Sequence, residues 1–126
     1  METMTINGEE WVKKSTIPQQ EERELSVNLE GLKYCVVRTY SAGAFAGYVK
    51  ERKGKETTLL KARRLWYWDG AASLSELAMH GVARPRNCKF PCPVEEVELT
   101  EVIEVIPATV KARKSIEGVK EWKLRK

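Results

Sequence analysis

Val36–Gly81 reads VVRTYSAGAFAGYVKERKGKETTLLKARRLWYWDGAASLSELAMHG, and its alternations, turns and cap decide the fold. The run Tyr34–Tyr40 sets Tyr34, Val36, Arg38 and Tyr40 on one face and Cys35, Val37 and Thr39 on the other, the period of two that marks a strand. Ser41-Ala42-Gly43-Ala44 is a turn of small residues leading into a second strand, Phe45–Lys50. Gly47 inside that strand leaves room for a second backbone, a ligand or a bulge. Arg52-Lys53-Gly54-Lys55 forms the next hairpin turn, and Glu56–Trp68 is too long for a regular strand, so a bulge or bend is expected near Lys61-Ala62. Its far half alternates Arg64, Trp66 and Trp68 against Arg63, Leu65 and Tyr67, so Trp66 and Trp68 are expected to be buried or exposed together. Ser73-Leu74-Ser75-Glu76 fits a capping box, Leu74, Leu77 and Ala78 follow at helical spacing, and Gly81 stands at the C-terminal cap of a short helix.

Outward from this unit, Pro85, Pro91 and Pro93 make 82–93 an irregular connection. Val94–Ile106 reads as one strand, with Val97, Leu99, Ile103 and Val105 facing a core and glutamates outside. Pro107 stops it, Thr109 caps a last helix over Val110–Glu117, Gly118 ends that helix, and Val119–Leu124 with Trp122 forms an extended tail. On the other side, residues 1–17 read as a hairpin about Asn7-Gly8, and 18–31 as an acidic, Gln-rich linker. The hairpin is then an arm that is stable only when docked. The expectation is an α+β domain over 32–126, a small antiparallel sheet or partly open barrel of about five strands with two short helices and an N-terminal hairpin appendage.

At 126 residues the chain is long enough for one domain with a real core, and a 32% charged fraction of both signs is that of an ordinary soluble protein. No apolar run approaches a membrane span and the N-terminus has neither a basic leader nor an apolar segment, so a cytoplasmic protein is expected. Three cysteines, an odd number without an export signal, argue against a disulfide framework. The net charge of +4 leaves nucleic-acid binding undecided. Cations gather at 50–55, 61–64 and 84–89 and near the C-terminus, acids at 21–24 and 95–104, which favours a phosphate-bearing ligand or self-association.

Three constellations carry candidate chemistry. Arg38, Arg63 and Arg64 with Trp66, Tyr67 and Trp68 combine guanidinium groups for phosphate oxygens with indole faces for a base, although aromatic clusters at strand ends more often serve as core covered by arginine stems. The Ser41–Ala44 turn could present backbone N–H groups to a phosphate, but it lacks both the dinucleotide and the Walker glycines and reads better as a plain tight turn. The loop Arg84-Pro85-Arg86-Asn87-Cys88-Lys89-Phe90 offers cations and an amide on a proline-stiffened frame, suited to a base edge or pyrophosphate and equally to a solvated loop. A zinc site from His80, Cys35, Cys88 and Cys92 is disfavoured by the single histidine and the mid-strand Cys35. No serine sits in a nucleophile elbow and no acid is placed to orient His80, so no enzyme, cofactor or metal is expected.

The segments VVRTYSAGAFAGYV (36–49), ARRLWYWDGAASLSELA (62–78) and NCKFPCPVEEVELTEVIEVIP (87–107), with Lys114-Ser115-Ile116, Val119 and Trp122 beyond, resemble a small family encoded by phages and prophages and carried as a domain of unknown function. The resemblance spans Tyr34–Trp122. That family is in turn similar to the first Thoeris anti-defence family, whose members sequester cyclic ADP-ribose isomers made by bacterial TIR-domain immune enzymes. The resemblance implies a non-enzymatic sponge in the cytoplasm of the infected host, a homo-oligomer built from dimers, binding its signal at subunit junctions, with cyclic oligonucleotides as a second ligand class in separate pockets. Chemistry then nominates Arg38, Tyr40, Ser41, Gly43, Phe45, Arg63, Arg64, Trp66, Trp68, Arg84, Arg86, Asn87 and Lys89 as ligand contacts. A single-stranded nucleic-acid-binding or virion assembly accessory protein is the alternative that the same basic, aromatic surface allows.

Overall fold

The structure, a computed structural model, describes residues 24–123. The expected hairpin over 1–17 and the start of the linker lie outside these. Strands β1 (Tyr34–Thr39), β2 (Ala44–Lys53) and β3 (Glu56–Leu65) form an antiparallel meander. Helix α1 (Leu74–His80), a single 3₁₀ turn (Pro85–Asn87), strands β4 (Val94–Leu99) and β5 (Val102–Pro107) and helix α2 (Val110–Glu117) complete the order. The five strands make one sheet in the order β4-β3-β2-β1-β5, an α+β architecture with two short helices.

Where one strand is expected over Val94–Ile106, two form, and they sit at opposite edges of the sheet with only Thr100 and Glu101 between them. Two residues span about 10 Å, so the sheet must curl until its edges nearly meet at that end. Cys35, Val37, Phe45, Leu59, Ala62, Leu99 and Val102, drawn from all five strands, fill one cluster, which is therefore the inside of the curl. The opposite face carries Tyr34, Val36, Ala46, Tyr48 and Leu65, and the helices cover it with Leu77, Ala78, Ala112 and Ile116. Two buried faces explain why this sheet holds so many apolar residues out of strict alternation.

Bulges supply the curl. Between Ala46 and Tyr48 the partner strand advances from Arg63 to Leu60, one residue too many, and Lys61 absorbs it with φ of 51°. This is the irregularity expected near Lys61-Ala62. Gly47 opposes it because a Cβ there would lie 3.1 Å from Ala62 Cα and 3.1 Å from Leu60 O. A second offset, between Val49 and Glu51, adds a residue to β2.

Both helices start as expected. Ser73 Oγ accepts from Glu76 N, while the Glu76 carboxylate accepts from Ala72 N in place of the Ser73 amide, and Thr109 Oγ1 accepts from Ala112 N. The same Thr109 hydroxyl donates to Met79 O, locking the helices together. The segment 24–31, read from sequence as linker, is tied to the domain: Ser26 is buried, its N–H donates to Ala108 O and its hydroxyl accepts from Arg113 Nε. No helix among the described residues is long and apolar enough to cross a membrane.

Candidate nucleotide-binding surface

Strand alternation sends the adjacent arginines of β3 to opposite faces, and the bulge at Lys61 sets which face each takes. Arg63 turns under the helices, only 6% exposed, and donates to the carbonyls of Pro91 (3.2 Å), Phe90 (3.2 Å) and Ile116 (2.9 Å). Its guanidinium also lies 5.5 Å from the Phe90 ring centre. Burial pulls its pKa below the ordinary arginine value, with Tyr34 and Glu121 acting the other way. Arg63 is thus a structural pin between β3, the 90–91 segment and α2, and it is not displayed beside Arg64 as the sequence constellation supposed.

Arg64 lies at the surface. Its guanidinium stacks 4.5 Å from the Phe45 ring centre and Nη1 donates to Ala42 O at 3.1 Å, which orients the group while leaving other N–H donors open to solvent. Phe45 is buried beneath it and serves as its floor, not as a ligand contact. Trp66 follows the last β2–β3 pair, Ala44↔Leu65, and is 64% exposed. Tyr40 is exposed next to the Ser41–Ala44 turn, its N–H donating to Glu101 O, and the Ser41 hydroxyl donates to Glu101 Oε1 at 2.6 Å. The turn itself is held by Thr39, whose Oγ1 accepts from Ala42 N and donates to Gly43 O. The Ala42 N–H is therefore already committed, which weakens the case for a phosphate nest. Arg38 pairs with Ala44 on the helix-covered face, opposite to Arg64, and is exposed at its margin. Trp68 packs partly into the core beneath the helices while Trp66 does not, because β3 ends at Leu65 and the alternation does not continue past it.

The 84–90 loop forms a second patch joined to the first through Trp66-Tyr67. Asp69, which sequence reasoning passed over, accepts from Asn87 Nδ2 at 2.9 Å and from Arg84 Nη1 at 2.7 Å. These two hydrogen bonds, Asn87 first, hold its carboxyl below the usual carboxylate range. Arg84 and Asn87 therefore build the loop before they could grip a ligand. Arg86 is exposed on the 3₁₀ turn. Lys89 Nζ sits 5.6 Å from the Trp122 ring and 6.0 Å from the Tyr67 ring, both rings half exposed. Trp122 comes from the C-terminal tail, held by its N–H donating to Phe90 O. A lone tryptophan in a charged tail gave no sequence signal for that placement.

Burial raises the Cys35 and Cys88 thiol pKa values, and among the described residues no three His, Cys, Asp or Glu side chains gather to hold a metal ion. What the surface offers is three partly exposed rings, Trp66, Tyr67 and Trp122, the last two on either side of Lys89, with Arg64 and Arg86 exposed as well. Such a face suits stacking and phosphate contact.

Comparison with curated proteins and with solved structures found no match. The model of a domain of unknown function, DUF6948, matches residues 32–116, and the chain belongs to that family.

Proposed function

We propose that the protein binds a nucleotide signal without cleaving it, and that it acts as a phage-encoded sponge for cyclic ADP-ribose isomers in the cytoplasm of the infected bacterium. The observation that carries this reading is Trp66, exposed beside an arginine already oriented by Phe45 and Ala42. An exposed indole paired with an exposed guanidinium matches an adenine ring and a pyrophosphate. The face is open, so enclosing a compact ligand calls for a second protomer, in keeping with the oligomer that the sequence resemblance implies. Removing one stacking ring or one bidentate arginine is worth about 1–3 kcal/mol, or roughly 5- to 150-fold in affinity.

The test is calorimetry of pure protein with cyclic ADP-ribose isomers, followed by heating and mass analysis of what is released. Saturable binding with intact ligand recovered is expected, and Trp66→Ala and Arg64→Ala should each weaken it. No binding, or recovery of a hydrolysed product, refutes the proposal.

A single-stranded nucleic-acid reading is favoured by one observation, Lys89 standing between two exposed rings, Tyr67 and Trp122. It requires affinity that grows with oligonucleotide length and falls steeply with salt. A compact signal in a closed junction would show little of either.

A further inference from the structure

We propose that the hollow between the start of β4 and the end of α2 is a second binding site, which takes a small anionic group, a carboxylate or a phosphate, on the Tyr34 hydroxyl and the spare N–H groups of Arg63. The hollow holds about 260 Å³ and is lined by Tyr34, Lys61, Arg63, Val94, Glu95 and Glu117. It opens on the helix-covered side of the sheet, so it is separate from the Arg64–Trp66 face and does not depend on the function proposed for that face.

Tyr34 is 1% exposed and its ring meets Tyr48 edge-on at 5.1 Å, yet its hydroxyl donates to no described residue. Its oxygen is not sealed in: among the described residues the sealed side-chain polar atom without a partner is Thr57 Oγ1. A buried phenol that reaches only a cavity is a donor awaiting an acceptor. Arg63 supplies the charge. Three of its five N–H groups go to the carbonyls already named, two remain, and no carboxylate of the described residues pairs with it. Buried cations ordinarily have a counter-ion, and carbonyl dipoles alone leave positive potential in the adjoining space.

The carboxylates at the rim do not fill that role. Glu117 is paired to Arg113 at 2.7 Å, and Glu95 approaches Lys61 at 4.0 Å. They restrict the site to a compact anion, since a larger one would meet their charge. Tyr34 and Arg63 also act on each other's titration, as groups facing one region do.

The test titrates the full chain with inorganic phosphate, acetate and phenyl phosphate at constant ionic strength, following the Arg63 Nε–H and Tyr34 ring signals by NMR. Saturable shifts at both residues are expected, and the probe that binds tightest tells whether a free anion, a carboxylate or a phosphate ester is preferred. Tyr34→Phe keeps the ring and removes one donor to a charged acceptor, which should weaken binding about tenfold or more. Glu117→Gln should strengthen it severalfold, and Trp66→Ala should leave it unchanged. Absence of saturable shifts with all three probes overturns the proposal, as does equal affinity in Tyr34→Phe. Should Tyr34→Phe fail to fold, unchanged affinity in Glu117→Gln overturns it.

Discussion

Replacing Arg63 with alanine tests the fold where it is most concentrated in one side chain. The guanidinium makes three hydrogen bonds, at 3.2, 2.9 and 3.2 Å, to carbonyls of Pro91, Ile116 and Phe90, and it is nearly buried. Bonds from a charged donor contribute about 1.5–3 kcal/mol each, giving roughly 5–9 kcal/mol gross. Relief of the guanidinium's own desolvation returns several kcal/mol, so a net loss of about 3–5 kcal/mol is expected. That is about a fifth or more of the stability of an ordinary domain. Arg63→Lys separates charge from shape: one ammonium cannot span three carbonyls, and a loss of about 2 kcal/mol should remain. Urea unfolding followed by circular dichroism measures both, with the slope checked for constancy. If Arg63→Ala lies within about 1 kcal/mol of the parent, the three bonds are not holding the 90–91 segment and α2 to β3, and the reasoning fails.

Thr57 is buried and its hydroxyl has no partner, so Thr57→Val, which keeps the shape, should stabilise by about 1 kcal/mol and raise the urea midpoint; a loss of stability would mean the hydroxyl is satisfied after all. Gly81 has φ of 79° and a Cβ there would collide with Ser115, so Gly81→Ala should destabilise by about 2 kcal/mol or more, read as a drop in Tm. The Asp69 carboxyl is held below its ordinary value of 3.8, so its contribution to stability is complete above that pH and is lost as the pH falls through the depressed value. Titration of Asp69 by NMR should follow this course, and Asn87→Ala should move its midpoint up. Cys35 behaves in the opposite sense: its thiol pKa is raised from 9.0, so any stability linked to it is intact below pH 9 and declines above as the unfolded thiol ionises. Alkaline unfolding of Cys35→Ala should lack that component.

The meander and both helix starts were legible because each rests on a local rule. The Gly54-Lys55 turn, the Ser73 and Thr109 caps, and the surplus length of the Glu56–Trp68 run all act within a few residues of themselves. The division of Val94–Ile106 was not legible, since what separates its halves is pairing: β4 with β3 and β5 with β1, at opposite edges. Val102 is buried and Ile103 exposed, a reversal of phase that β-branched neighbours conceal. In the candidate site, the alternation read from sequence put Arg63 and Arg64 on opposite faces but not which one is interior; the bulge at Lys61 sets that phase, turning Arg63 inward and Arg64 to solvent. Asp69 and Trp122 were missed because their partners lie 15 or more positions away, at Arg84, Asn87 and Lys89. Arg84 and Asn87 were nominated for a ligand, and their first duty is to Asp69.

The Thr100–Glu101 link makes the two rims of the sheet a single strap. Neither rim can peel away without pulling on the other, so β4 and β5 should open as one unit in hydrogen exchange, although they border different strands. A protease that cut only between Thr100 and Glu101 would uncouple them, letting the coiled sheet relax toward a flatter one with two unguarded margins.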